Sequence, residues 1–534
     1  MEKLQSKREG ALLAFFGGAA SLSLAAITVK VLGLIYKLPL SRVLGDEGMG
    51  YFNTAYTVYS FFYLLATAGV PKAVSILSAE SRARGDLCEE RRILRVALRT
   101  FFGIGLLLSA LLFFLSGEIA RGIGNHHAAL TMAAIAPSVL FVAVGGVLRG
   151  ALAGKSRLFP IALSEVVSGA AKLVFGLLFA LTALRRGASL PTVSAASVLG
   201  ITLGSFFALL LLLAFYLAEY GDKTEKQEDK TEQTKDKSKS VLRRILRVAL
   251  PVTASGAVLS LSSLVDLALI NRRLLSIGCT EAEATALYGN YTTLVLPMFQ
   301  LIASVIAPIS VAALPLLTAR HTVGDVRGFR GLCGTVYSAA AFFSVPSALA
   351  LMLLGEPILS LLFPSASARI GAPLLFVLAP AAVLMSLLTM VNTSLEAAGC
   401  LKAPLLSMGL GASVKIAAGY FLIGSERFGI LGAPLGTGLS YVVGLFVSLL
   451  LYRRRGGEVR AVFAALPRPL FAASVSLLPS LCLYRLLLSS YAKSLATVCA
   501  LLLCVGLYLF LSLLMGEKGI NYKNDMSKYT KNAE

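Results

Sequence analysis

Residues 51–75 read YFNTAYTVYSFFYLLATAGVPKAVS, and residues 288–312 read YGNYTTLVLPMFQLIASVIAPISVA. Set side by side, Asn53 meets Asn290, Phe62 meets Phe299 and Pro71 meets Pro308. A second echo follows further along in both halves. GALAGKSRLFP (150–160) followed by Lys172 matches LEAAGCLKAP (395–404) followed by Lys415. Each has a small-residue turn, a proline opening the next helix and a lysine about three turns in. Two echoes in the same order point to a duplicated chain.

The repeated segments are apolar, and runs of about 20 apolar residues recur from end to end, the length that crosses a bilayer as a helix. Only 14% of the 534 residues are charged, and mean hydropathy is +0.79. A soluble chain carries about a quarter charged residues, so this composition excludes one. A membrane β-barrel would show short alternating strands, and these runs do not alternate. The fold class is therefore an all-α polytopic membrane protein with about fourteen transmembrane helices. The reading gives two pseudo-symmetric six-helix lobes, 1–218 and 245–452, and a C-terminal helix pair, 453–516. Both lobes begin on the same side, so they are parallel repeats about an axis along the membrane normal.

EYGDKTEKQEDKTEQTKDKSKS (219–240) alternates charge sign and has no aliphatic residue, so 219–244 reads as a charged, disordered linker between lobes. Residues 517–534 read as a tail. The first apolar run continues past Lys30 to Leu40, too long for a signal peptide, and is read as a retained helix.

The net charge of +21 raises the question of nucleic acid, but the cations lie mostly in loops between apolar runs. ESRARGDLCEERRILR, GKSR, ARHTVGDVRGFR and YRRRGGEVR all fall on one side, giving about a threefold Lys and Arg bias. That side is the cytoplasm, which puts both termini inside a plasma membrane and excludes a nucleic-acid partner. The seven cysteines form no CxxC pair, and three histidines make no metal cluster; no cofactor is implied.

Charges inside the apolar runs carry the functional reading, because an unpaired charge in hydrocarbon is costly. Lys30 and Lys37 in ITVKVLGLIYKLPLSR (27–42) are seven residues apart, on one face of the first helix. Gly33 and Pro39 allow that helix to bend or end where it lines a cavity. Lys37 and Arg42 also have a plainer reading, as side chains reaching to the outer surface. Lys72, after Pro71, either reaches the cavity or extends to the inner surface. Glu165 and Lys172 share a face of the fifth helix; Asp266 on the seventh and Lys415 on the eleventh are expected to pair. Such pairs either move during transport or hold helices together.

VLGLIYKLPLSRVLGDEGMGYFNTAY (31–56), AGVPKAVSILSAESRARGD (68–86), LEAAGCLKAP with Lys415, and FGILGAPLGTGLSY (428–441) resemble one family. It is the multidrug/oligosaccharidyl-lipid/polysaccharide exporter superfamily, in the branch with the lipid II flippase MurJ and the stage V sporulation protein B. The resemblance implies a central cavity whose basic residues from the first two helices bind substrate. Lys30 matches one arginine of the first helix, and Lys37 falls within one residue of the second. The second-helix arginine does not carry over, since Tyr63 stands near its place and positive charge returns only at Lys72. Asn53, at the repeated position, completes the expected cavity lining.

The expected function is an alternating-access flippase. It would move an anionic lipid-linked oligosaccharide, a peptidoglycan or other polysaccharide precursor, from the inner to the outer leaflet. Its partners would be that sugar pyrophosphate lipid and membrane lipids, with the protein working as a monomer. A cation-coupled multidrug exporter of the same superfamily is the rival, and would present acids to a cationic drug. A non-transporting scaffold in cell-wall or spore-coat assembly is the third reading. Arg149 breaks the glycine pattern a phosphate-binding loop needs, and no external loop carries acids with a partner base, so no enzyme is expected.

Overall fold

The computed structural model describes residues 2–67, 69–155, 157–221, 235–400, 402–488 and 492–515. Among them there is no strand. The chain opens with α1 (Glu2–Thr67) and α2 (Val70–Ala83), followed by α3 (Leu87–Phe114). Two short helices, α4 (Ser116–Ile123) and α5 (Ala128–Ile135), lead to α6 (Pro137–Gly154). Two long helices, α7 (Phe159–Arg185) and α8 (Leu190–Gly221), precede α9 (Lys235–Ser276). Then come α10 (Glu281–Asn290), a π turn at Tyr291–Val295, and α11 (Leu296–Thr322). The remainder comprises α12 (Val326–Leu353), α13 (Gly355–Leu362), α14 (Ser365–Ala397), α15 (Lys402–Ile423), α16 (Gly432–Arg454), α17 (Val459–Ala464), α18 (Pro467–Leu488) and α19 (Lys493–Leu514).

Local chemistry sets these boundaries. Asp86 caps α3 by accepting from the Glu89 amide at 2.8 Å, and Glu89 and Glu90 sit in the first turn, where the helix dipole favours them. Asp325 caps α12 the same way, through the Gly328 amide at 2.8 Å. Proline occupies the first turn of α2, α6, α7 and α11, where its missing N–H costs nothing.

Twelve helical runs among the described residues are long and apolar enough to cross a membrane. One of them, Leu24–Ala83, is 60 residues long, about 90 Å of helix and enough for two passes of a core about 30 Å thick. The expected seventh helix, the one carrying Asp266, is α9, which is 42 residues long. With these counted, the crossings number about fourteen.

Three details differ from the sequence reading. The first helix does not bend or end at Gly33 or Pro39: α1 stays helical through both and breaks only at Gly45. There φ is 62° and ψ −171°, a combination essentially confined to glycine, so one residue makes the turn. The second span is broken before Pro71, where α1 ends and α2 begins. The charged linker is shorter than 219–244, because 219–221 and 235–244 are helical; 222–234 and the tail 517–534 lie outside the described residues.

The described residues pack into two units, 1–271 with 281–289 and 272–280 with 290–534. In the first, Val70, Val74 and Leu77 of α2 pack with Ile93, Leu94 and Phe101 of α3, Val147 of α6, and Val241 and Ile245 of α9. Arg244 of α9 clasps the same face, bonding Glu89 and, at 3.4 Å, Glu80. In the second unit, α18 and α19 rest on α12 and α13 around Leu354, Leu477 and Cys504, and the Tyr508 hydroxyl donates to the Phe342 carbonyl at 2.8 Å. Of the repeated positions, Asn53 and Asn290, and Phe62 and Phe299, are all buried, whereas Pro71 opens α2 and Pro308 lies exposed inside α11.

Candidate functional site: a cation on an aromatic ladder

In the first unit, Phe52, Tyr56, Tyr59 and Tyr63 recur at the spacing of one helix face. Their rings follow one another at 6.1, 5.9 and 5.8 Å between centroids. Tyr36 extends the ladder, with its ring 6.1 Å from Phe52. On an unbroken helix residues 36 and 52 would stand about 24 Å apart. The turn at Gly45 is what brings them together. Tyr36 is fully buried and fixed by its hydroxyl, which donates to the Ser197 carbonyl of α8 at 3.1 Å.

Lys172 of α7 enters this ladder. Its Nζ stands 5.0 Å from the Tyr36 ring centroid and 5.5 Å from that of Tyr56. Each such contact contributes about 0.5–2 kcal/mol, more where water is excluded. Lys37, half-buried beside Tyr36, is near enough for its ammonium to repel that of Lys172. Glu165, one heptad before Lys172, is half-buried, but no ion pair joins the two among the described residues. The shared face therefore does not produce the expected contact, because the rings of α1 take the lysine instead.

Lys172 and Tyr63 thus belong to one continuous surface, with Lys37 next to Tyr36 along the chain and Asn53 buried on the same helix. Lys30, Arg42 and Lys72 are exposed and lie off the ladder. Asp266 is half-buried in the first unit, near Tyr288, and Lys415 is half-buried in the second.

Arg149 is the residue the sequence reading missed. On α6 it is half-buried, its Nε is fully enclosed without a hydrogen-bond partner, and its charge bears on the Tyr59 hydroxyl. Its signal is a lone arginine inside the apolar run PSVLFVAVGGVLRGALAG.

The end of the ladder nearest Gly45 is closed by α10. Gly50 of α1 lies against the Thr285 backbone, and Gly289 against the Asp46 carbonyl. The Thr57 and Tyr288 hydroxyls share a hydrogen bond of 3.2 Å, and the Tyr51 hydroxyl donates to Glu47 at 2.5 Å. The His126 ring meets Glu281 at 2.9 Å, and its backbone amide donates to the same carboxylate. The second unit has a separate cavity of about 220 Å³, lined among others by Phe329, Arg330, Tyr452 and Arg455. Asp325 on its wall is already engaged by Arg320 at 2.6 Å.

Comparison with known proteins places these features in context. A family model described as polysaccharide biosynthesis protein matches residues 15–321. The lipid II flippase MurJ of Bacillus subtilis (strain 168) is 23% identical over 453 residues, covering 82% of each chain. Stage V sporulation protein B of the same organism is 24% identical over 439 residues, again covering 82% of each. Among solved structures, lipid II flippase MurJ in an inward closed conformation superposes with a TM-score of 0.68 at 16% identity. It covers 92% of this chain and 98% of that one.

Proposed function

Because this chain belongs to the polysaccharide biosynthesis protein family, within the exporter superfamily that includes MurJ, we propose that it is a flippase for an anionic lipid-linked oligosaccharide. The substrate is a polyprenyl diphosphate sugar of the kind that supplies peptidoglycan or another surface polysaccharide. It moves from the inner to the outer leaflet of a bacterial plasma membrane by alternating access, the protein working as a monomer with both termini inside.

One observation supports this reading above the others. A membrane-embedded ammonium, Lys172, rests on tyrosine rings rather than on a carboxylate, with a second ammonium, Lys37, beside it. Static structural charges in hydrocarbon are ordinarily paired with acids. An ammonium seated on rings in this way suits a phosphate that must cross the membrane and is of the wrong sign for a cationic drug. Lys30, exposed on the same helix, adds to the positive field in this proposal.

The test uses the full chain in proteoliposomes with a defined lipid-linked diphosphate oligosaccharide, with and without a membrane potential. Carrying one charge through 100 mV is worth about 2.3 kcal/mol, so a net charged cycle responds to the potential. Glycan lipid reaching the outer leaflet, slowed in Lys37→Gln, is the expected result. Extrusion of cationic dyes with no movement of glycan lipid would refute it.

A further inference from the structure

We propose that Lys172 is a phosphate ligand held ready on an aromatic seat. The Tyr36 and Tyr56 rings position its ammonium in the absence of substrate, and a diphosphate then binds it together with Lys37. The inference rests on the flippase reading and adds to it a binding residue on α7, outside the helices from which the substrate charges were expected.

Three observations carry it. First, the ammonium lies 5.0 and 5.5 Å from two ring centroids, distances at which the faces attract a cation without removing its hydrogen-bond donors. Among the described residues no oxygen acceptor engages its three N–H groups. Second, the two rings differ. Tyr36 is buried and anchored on Ser197, whereas Tyr56 is 41% exposed. The seat therefore has a fixed floor and an open side from which an anion can reach Nζ. Third, the nearest acid on the same helix, Glu165, forms no ion pair with Lys172 among the described residues, so an arriving phosphate has no carboxylate to displace.

The chemistry selects the ligand. An ammonium on an aromatic seat, with a second ammonium on the neighbouring helix acting on it, matches a compact group with two or more negative charges, and an oxyanion outcompetes a ring for an ammonium because its hydrogen bonds are charge-assisted. A diphosphate presents more charged oxygens to the Lys172 ammonium than a single phosphodiester does. Two sources can present phosphate oxygens here: the diphosphate of a lipid-linked sugar and the head group of a bilayer phospholipid.

The sequence contains no tryptophan, so Tyr56→Trp places a single indole in the seat while preserving, and strengthening, the cation–ring contact. The variant is prepared as the full chain in nanodiscs of zwitterionic lipid and titrated with inorganic pyrophosphate and with a short-chain prenyl diphosphate. A saturable change in tryptophan emission is expected for both. In the Tyr56→Trp/Lys172→Gln double variant, affinity should fall at least tenfold, while Tyr56→Trp/Lys172→Arg, which keeps the charge, should stay within about threefold.

No emission change in the Tyr56→Trp protein itself overturns the proposal, whatever the fate of the double variants. So does undiminished affinity after Lys172→Gln, or a response to phosphatidylglycerol nanodiscs that pyrophosphate does not reproduce. The outcome is separable from that of the flippase assay. Pyrophosphate binding that depends on Lys172, in a protein that moves no glycan lipid, would refute the transport reading and leave the anion seat standing.

Discussion

Replacing Gly50 with alanine is expected to loosen α10 from α1 without unfolding either. A methyl group built at Gly50 falls 2.2 Å from the Thr285 carbonyl oxygen and 2.4 Å from its Cγ2. Ordinary contacts need about 3.4 Å or more, so the helices must separate by about 1 Å. Two of the near atoms belong to the Thr285 backbone, which cannot swing aside as a side-chain tip would. Overpacking of this kind costs about 1–3 kcal/mol. Because it acts on the docked state of α10, the opening equilibrium of that segment should rise about 5- to 150-fold. Hydrogen exchange of the amides of 281–289, measured by mass spectrometry on the full chain in nanodiscs, reads that factor directly. Gly33→Ala is the control, since a methyl there meets nothing within 4 Å and alanine favours the helix. Unchanged exchange in a natively folded Gly50→Ala protein would refute the argument, as would equal loosening by Gly33→Ala.

The other expected outcomes concern charge. The Gly328 amide first, and the Arg320 guanidinium after it, hold the Asp325 carboxyl below the usual carboxylate range. Its stabilisation is thus complete above the ordinary aspartate pKa and disappears as pH falls through the lowered value. The difference in melting temperature between the parent and Asp325→Asn, which keeps the cap acceptor, should be present at neutral pH and vanish in strong acid. Arg244→Ala removes a half-exposed clasp worth about 1 kcal/mol. Exchange at Val241–Ala249 should quicken about fivefold, and an unchanged rate would show that the clasp contributes nothing. Arg149→Met fills the same space without an enclosed, unpartnered Nε. It should raise thermal stability while slowing glycan flipping, whereas lower stability together with unchanged flipping would make Arg149 a purely structural residue.

The helix count and the duplication were legible because they depend on hydropathy and on spacing, which sequence carries directly. Asn53 and Asn290, which the two halves place in register, are both buried. What remained hidden depends on a single dihedral and on neighbours far along the chain. Gly45 lies in a stretch, SRVLGDEGMG, with three glycines, and no pattern there singles out the one that takes positive φ. Placing the bend at Gly33 and Pro39 left Tyr36 and Phe52 on separate helices with no reason to meet. The spacing of Phe52, Tyr56, Tyr59 and Tyr63 is visible as a helix face, but spacing alone does not identify Tyr63 as the end of a ring series. Periodicity also misled at Lys172: it identifies which residues share a face, as Glu165 does, but not which helix covers that face.

The choice of rings over an acid bears on how a carrier of anions avoids trapping itself. Had Lys172 paired with Glu165, a phosphate would have to break a charge-assisted bond and leave a carboxylate exposed in hydrocarbon, at a cost of several kcal/mol. Had it been left without any partner, the ammonium would bear the full desolvation penalty whenever the site stood empty. Tyrosine faces lie between these extremes. They lower the cost of the empty state by about 0.5–2 kcal/mol per ring and give up little when an oxyanion arrives. Repulsion from Lys37 acts in the same direction, raising the energy of the empty site and being relieved by a dianion. A seat tuned this way would take phosphate at Lys172 without first displacing Glu165. It also returns to a tolerable empty state after release, which a transport cycle requires at every turn.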